Sequence, residues 1–487
     1  MNVLSSTSYR NYFLLGLSVI LLTAWFSVGG HHPDEYFQVL EFAAYKMGMA
    51  KAADLPWEFG AQCRPALQPF IVVAISKSLQ AIGLFNPFFV TLILRAGIGL
   101  LSWWITCRLI LLVLPKFKTE KASQIFIACC FLLWFVPYIN VRFSSENLSA
   151  QLFLLALSIL LPMREPDYVR KISDSIFVGL LLGAALFIRL QIGFAFVGLG
   201  IWLYFQNWKL RDWMLMCFAG IAAIAVCVVI DYWFYGEWIF TPLNYFKVNI
   251  IENKAAAYGV FPFWAYFSFF FEIAVPPLSI LLILFFLRGV YKRPFHLLSL
   301  VCITFLLGHF AIAHKEMRFL FPMCLPFIFM ACIGLDFFLQ RYAEKRYYRW
   351  IWGVLIFMNI GLLIFRSLTP AHEIVKYYEF IYNHCKRQNT ILVAFNQSPY
   401  NLATDVDFYR PKNLTIKVIK DLPELQTVLN NAGGQSILLY DKLPASPSLA
   451  AYKLKKVYSL IPDWILRFNF NHWQDRSYII GLYEVKP

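Results

Sequence analysis

Six short clusters in this chain combine carboxylates, cations and imidazoles, the groups that move protons and bind anions. The first is His31-His32-Pro33-Asp34-Glu35-Tyr36-Phe37-Gln38, with Glu41 one turn on. The second is Trp57-Glu58-Phe59 with Arg64-Pro65. The third is Arg142-Phe143-Ser144-Ser145-Glu146, and the fourth is Arg189 with Gln191. The fifth begins at Asp231 and continues through Tyr235-Gly236-Glu237-Trp238 and Thr241-Pro242-Leu243-Asn244. The sixth is His314-Lys315-Glu316-Met317-Arg318-Phe319. Each has a plainer reading beside it. Pro33-Asp34-Glu35 is a good helix start with Asp34 as the cap. The sixth cluster, taken alone, reads more readily as a solvated loop, and Arg142 and Arg189 as snorkelling anchors. Asp405-Val406-Asp407 has the D-x-D form of metal-dependent sugar transferases, but a three-residue match on an appendage is set aside as chance.

The elements that must position these clusters are membrane helices. Of 487 residues, 60% are hydrophobic and 15% charged, with mean hydropathy +0.60; soluble domains run near roughly 45–50% and 25%. That excludes an ordinary cytosolic enzyme, a disordered protein and a small disulfide scaffold. Net charge is +15, but the basic residues sit in short stretches between apolar runs. The partner they imply is a lipid bilayer, not nucleic acid. Eight of the ten cysteines fall in apolar segments as small packing residues, while Cys63 and Cys385 read as solvent-side. With no C-x-x-C, a zinc site or disulfide framework is not expected. The run 12–28 has no A-x-A cleavage site and reads as a retained helix.

Eleven spans are predicted, at 11–29, 88–113, 123–140, 147–162, 174–188, 190–206, 213–234, 267–288, 296–313, 319–339 and 349–366. Alternate connectors, with Arg10, hold sixteen basic residues, among them Arg164, Arg170, Lys345, Arg346 and Arg349. The other short connectors hold four: Arg142, Arg189, Lys315 and Arg318. The positive-inside rule puts the first set in the cytoplasm. Segment 66–83 then cannot span without breaking this parity. It reads as a juxtamembrane helix within an outer loop 30–87. All six clusters fall on the outer side. The tail 370–487 reads as a small α/β domain on that side too, with a helix at 371–384 and another at 422–431. Its predicted strands are 390–396, 414–420, 436–441 and 478–485. The expected fold is thus an all-α polytopic membrane domain, 1–369, with a small C-terminal α/β domain. A transporter or lipid-linked sugar flippase buries ionisable groups near the midplane, on helices broken by Gly or Pro. Clusters at helix ends on one side suit an enzyme at the membrane–water interface, one of whose substrates is a lipid.

Taken together, the clusters resemble glycosyltransferase family 22, the polyprenyl- or dolichyl-phosphate-mannose-dependent α-mannosyltransferases, and within it the GPI mannosyltransferases. His32-Pro33-Asp34-Glu35-Tyr36-Phe37-Gln38 with Glu41 is similar to the family's H-P-D-E-x-x-Q-x-x-E signature. Leu55 to Phe59 resembles its L-T-W-E-[WF] stretch, with Pro56 in place of Thr, and Arg64-Pro65 stands where Arg-Ser is common. Arg142 to Glu146 resembles an Arg…Ser…Glu element, with the Glu closer than usual. Tyr235 to Asn244 resembles Y-G-x-W…T-P-x-N, and His314 to Phe319 resembles H-K-E-x-R-F. The tail matches no motif of the family.

The resemblance implies a GT-C fold, whose first outer loop carries juxtamembrane helices. It also implies transfer of mannose, with inversion, from a polyprenyl-phosphate to a hydroxyl of a glycan or glycolipid. A carboxylate must take the acceptor proton, and cations must stabilise the departing phosphate. Asp34 is the implied base, with Glu35 in reserve. His314, Lys315, Arg318 and Arg189 are implied for the phosphate. Arg142 and Glu146 are read as a pair bracing the site, with His32, Gln38, Glu41, Asn244 and Glu316 in support. No cofactor is implied, and a monophosphate held by Lys and Arg requires no metal. A related GT-C enzyme transferring another sugar is the nearest alternative. Compact loops favour a bacterial inner membrane with a periplasmic site, with the endoplasmic reticulum as the alternative.

Overall fold

The computed structural model describes residues 7–164, 168, 171–206, 208–342, 348–402, 404–443, 445, 449–477 and 479–485. Arg170, Lys345 and Arg346, used in the charge argument, and Tyr478, the expected start of the last strand, lie outside the described residues.

All eleven predicted apolar segments are helical. We number the principal helices α1 (Thr7–Phe26), α2 (Leu67–Ala81), α3 (Pro87–Val113), α4 (Glu120–Leu132), α5 (Ser145–Leu160), α6 (Ile172–Ile188), α7 (Gly193–Phe205), α8 (Leu210–Tyr235), α9 (Ala265–Ala274), α10 (Leu278–Lys292), α11 (Leu297–Ala311), α12 (Cys324–Tyr342) and α13 (Tyr348–Leu368). Among the described residues, five stretches are long and apolar enough to cross a membrane as single helices: Tyr9–Phe26, Pro87–Lys116, Leu210–Tyr235, Met317–Tyr342 and Trp350–Leu368. The others are shorter or interrupted. The 15 residues of α2 reach only about 22 Å at about 1.5 Å per residue, less than a hydrocarbon core of about 30 Å.

Two segments expected as single helices are broken and a third changes pitch at its start, each beside proline. The segment 123–140 becomes α4 and a short turn Val136–Asn140 that has Pro137 in its first positions. The segment 267–288 breaks at Val275-Pro276-Pro277 between α9 and α10. The start of 319–339 is a 3-10 turn, Met317–Met323, with Pro322 inside it. Proline removes a backbone N–H and clashes with the preceding turn. Such breaks survive at membrane depth where protein or a cavity lines them. They do line one: Ile139, Phe270, Ile273, Leu320 and Phe321 share an apolar cavity of about 150 Å³.

Contacts divide the chain into two units that alternate along the sequence. Met1–Ser27, Trp57–Val72 and Thr91–Thr369 form a helical unit; Val28–Pro56, Val73–Val90 and Pro370–Pro487 form a loop-and-tail unit. In the helical unit, small residues let backbones meet: a Cβ on Gly289 would strike the Met330 carbonyl, and one on Gly334 the Phe285 carbonyl, so α10 and α12 touch directly. In the tail, α14 (Ile374–Cys385) and α15 (Leu422–Asn430) accompany a five-stranded mixed sheet. Its strands are β1 (Thr390–Phe395), β2 (Leu414–Ile419), β3 (Ser436–Lys442), β4 (Leu454–Ser459) and β5 (Ile480–Val485), in the order β2-β1-β3-β5-β4. β1 runs parallel to both neighbours, and β5 antiparallel to β3 and β4. Strand β4 was not predicted. Cys63 and Cys385, expected solvent-side, are both buried. Packing around Cys63 pushes its thiol up to about 11, so it is inert.

Candidate active site

In the helical unit, Glu146 is the centre. Ser144 caps α5 by accepting the N–H of Asn147, and this sets Glu146 in the first turn, where the positive end of the helix dipole favours a carboxylate. Glu146 is 1% exposed. Two guanidiniums reach it from remote parts of the chain, Arg189 at 3.0 Å and Arg318 at 3.4 Å. Arg189 is delivered by the end of α6, where the backbone turns extended; it also donates to the Ser145 hydroxyl at 3.3 Å. Both arginines lie against the ring of Phe319.

The 314–318 segment completes the cluster. Glu316 accepts from Arg318 Nε at 2.5 Å and Nη2 at 3.2 Å, and lies 2.9 Å from His314 Nε2. His314 Nδ1 donates to the Gly259 carbonyl at 2.9 Å. Lys315 is placed differently. Its ammonium donates to the carbonyls of Phe310 and Ile312 at the end of α11, where a cation also meets the negative end of the helix dipole. Burial lowers its affinity for a proton. Arg142 donates through Nη2 to the Ser27 carbonyl at 2.8 Å and lies over the Tyr138 ring. Arg189 and Arg318 converge on Glu146 from afar, and Arg142 ties the start of the 142–146 segment to the end of α1. Asn244 donates to the Gln62 carbonyl at 3.1 Å, and Tyr235 to that of Arg64 at 2.8 Å. Asp231, which the motif comparison left without a role, accepts from the Ala66 N–H and the Thr241 hydroxyl, both at 2.7 Å. These residues brace the 57–66 loop, where Glu58 and Arg64 pair at 3.7 Å. Met317 and Tyr266, beside the charged cluster, line the apolar cavity, and Lys315 sits 5.8 Å from the Tyr266 ring centre.

The loop-and-tail unit holds the first-loop signature. Asp34 precedes a wide π-helical turn, Glu35–Leu40, and makes no side-chain capping bond to it. Its carboxylate faces His32 Nδ1 at 3.3 Å. The Glu35 carboxylate instead accepts the backbone N–H of His31 at 2.9 Å, closing the turn. Gln38 and Glu41 are buried. Among the described residues, no group of three His, Cys, Asp or Glu side chains is placed to hold a metal ion.

Residues 11–412 match the model of the Alg9-like mannosyltransferase family. The chain is 28% identical over 334 residues to the GPI alpha-1,2-mannosyltransferase 3 of Mus musculus, covering 68% of this chain and 59% of that protein. It is 27% identical over 351 residues to the GPI mannosyltransferase 3 of Debaryomyces hansenii, covering 70% and 61%. The match thus spans about three fifths of the length of these relatives. Among solved structures, ArnT from Cupriavidus metallidurans bound to undecaprenyl phosphate superposes with a TM-score of 0.53 at 11% identity, covering 99% of this chain and 98% of that one. The fold is therefore of the same GT-C type.

Proposed function

The chain belongs to the Alg9-like mannosyltransferase family, and on that premise we propose that it is an inverting membrane mannosyltransferase. It moves mannose from a polyprenyl-phosphate to a hydroxyl of a glycan or glycolipid. The observation that carries this reading is the charge balance around Glu146. Arg189, Arg318 and Lys315 bring three positive charges to a buried region, and Glu146 and Glu316 bring two negative ones. An uncompensated buried charge is costly. A phosphodiester donor carries a negative charge that offsets this positive surplus. As the bond from mannose to phosphate breaks, the leaving phosphate gains a second negative charge. The guanidiniums already in place then bind it more strongly than the ground state, which is where rate comes from. The apolar cavity beside Met317 suits the prenyl tail.

Asp34 takes the acceptor proton as the acceptor oxygen attacks. The Glu35 carboxylate closes the turn by accepting the His31 N–H, so Glu35 is kept as the reserve. The reading needs no metal, because the chain's own cations hold the phosphate. The basic connectors mark the cytoplasmic side, which puts this chemistry on the opposite face. We assign that face to the periplasm of a bacterial inner membrane, with the lumen of the endoplasmic reticulum as the alternative. The test is incubation of the purified protein with polyprenyl-phosphate-[¹⁴C]mannose and a lipid extract of the source organism. A labelled glycolipid or glycan is expected. Transfer from another polyprenyl-phosphate sugar, with none from the mannose donor, would replace mannose in this reading while keeping the phosphate site.

A further inference from the structure

The first-loop turn and the tail are joined at both ends of the turn. At its start, the Val28 carbonyl accepts the N–H of Ala371 at 2.8 Å and of His372 at 3.2 Å. The Tyr36 hydroxyl accepts from the Gly30 N–H at 2.8 Å and pairs with His372 Nδ1 at 3.0 Å. At its end, Glu41 reaches the tail. One carboxylate oxygen accepts the Asp407 N–H at 2.9 Å and the other the Phe408 N–H at 3.2 Å, across 366 and 367 residues of sequence. Between these points lies one aromatic core. Tyr36 packs on Tyr409, Tyr409 stacks on Phe88, and Tyr378 packs on Tyr400 and Tyr409.

Glu41 is an odd residue for simple adhesion. It is 1% exposed, and Asp407 and Asp405 face it with charge of its own sign. A buried acid in such a place costs stability that an apolar side chain of similar size would not. What an acid supplies is geometry: two oxygens, fixed by one plane, on two consecutive amides. Glu41 opens the helix Glu41–Lys46, which continues from the Glu35–Leu40 turn without a break. A shift at Glu41 is therefore carried to Asp34 and Glu35, about 10 Å away along a helical path at about 1.5 Å per residue.

We infer that the C-terminal domain is a positioning element of the transferase, and that Glu41, seconded by Tyr36, is the contact through which it aims the turn bearing Asp34 and Glu35. The inference rests on the assignment of the base to that turn. Misplacement of a reacting group by about 1 Å costs up to about a hundredfold in rate, so the effect belongs in kcat.

The experiment is a double-mutant cycle in the full-length protein, with Glu41→Gln, Asp34→Asn and the pair. Transfer from polyprenyl-phosphate-mannose is read as kcat and donor KM, and hydrogen exchange is read over residues 28–46. Glu41→Gln keeps the shape but sets an NH2 group, which cannot accept, against one of the two backbone N–H donors, whereas a carboxyl in either protonation state presents an oxygen to each. Expected are a kcat reduced about ten- to a hundredfold, a donor KM within about twofold, faster exchange in 28–46, and no further loss when Asp34→Asn is added to it beyond that of Asp34→Asn alone. Unchanged kcat with faster exchange, or losses that multiply in full, would overturn the inference. If Glu41→Gln does not fold, Tyr36→Phe, which removes only a hydroxyl, takes its place in the same cycle. The base assignment is read separately, from Asp34→Asn alone; should that variant remain active, the cycle is run with Glu35→Gln.

Discussion

Glu146 and Glu41 are both 1% exposed, yet they are satisfied in opposite ways. Glu146 is met by guanidiniums on long side chains, and Glu41 by backbone amides of a distant segment. Side chains can turn toward an arriving anion, and their fixed charge makes them respond to it. Amides of a folded domain cannot turn, so a carboxylate bound to them is a strut. Two buried acids of the same family signature set thus do different work: one holds cations ready for a ligand, and the other fixes where a loop points.

The largest effect that should separate them is on the cation side. Replacing Arg318 by Ala removes a guanidinium from the surplus positive charge and should lower transfer by about 10²–10³. Lysine should rescue only in part, since it lacks the planar fork. Loss should show in donor binding as well as in turnover. Unchanged donor affinity and turnover in Arg318→Ala would remove this cluster from the reaction and leave Glu146 as a second strut.

A pH profile should sharpen the strut. Burial, with Asp407 and Asp405 adding to it, raises the Glu41 carboxyl to about 8, against the pull of two backbone donors. On the tail side Arg410 answers Asp407 at 3.4 Å, and Lys46 lies on Glu41's own short helix. The folded value lies above the free one of 4.5. Folding therefore favours the protonated form, and this contribution to stability is fully present below about pH 4.5 and lost as pH rises through about 8. Hydrogen exchange of the 28–46 turn should accelerate on that alkaline limb, and Glu41→Gln, which cannot ionise, should flatten it. A limb that persists unchanged in Glu41→Gln would assign it to another group.

Lys315 should give the smallest effect. Its ammonium is committed to the carbonyls that end α11, so in the proposed reading it is a neighbouring charge and not a direct phosphate ligand. Lys315→Met should lower thermal stability by about 0.3–1 kcal/mol, the usual value of a cation at a helix end, and reduce transfer less than Arg318→Ala does. A larger loss of transfer than in Arg318→Ala would reverse the order of the two residues.

Much of this architecture is legible in the chain, for identifiable reasons. Eleven apolar runs became helices because membrane burial leaves a backbone few other ways to satisfy its hydrogen bonds. Pro137, Pro276-Pro277 and Pro322 mark in the sequence where these helices break or change pitch, because proline removes a backbone donor and crowds the preceding turn. Strand β4 escaped because Leu454-Lys455-Lys456-Val457-Tyr458-Ser459 is the charged, half-exposed pattern of a sheet edge. The site was legible as residue types and not as pairs. The 314–318 motif announces cations and an acid, but that Arg318 and Arg189 meet at Glu146 depends on how three helices pack. That Glu41 is held by residues 407 and 408 has no local signal at all. Asp34 reads as a cap or a base from the sequence alone, because Pro-Asp-Glu starts a helix well in either role.

The most direct test of this division of labour is transfer at saturating donor by Asp34→Asn, with donor affinity measured on the same preparation. Asparagine caps a helix about as well as aspartate but cannot take a proton. If the turn supplies the base, turnover falls by about 10²–10⁴ while the donor binds as tightly as before. Turnover equal to that of the wild type would contradict it and return Asp34 to a structural role.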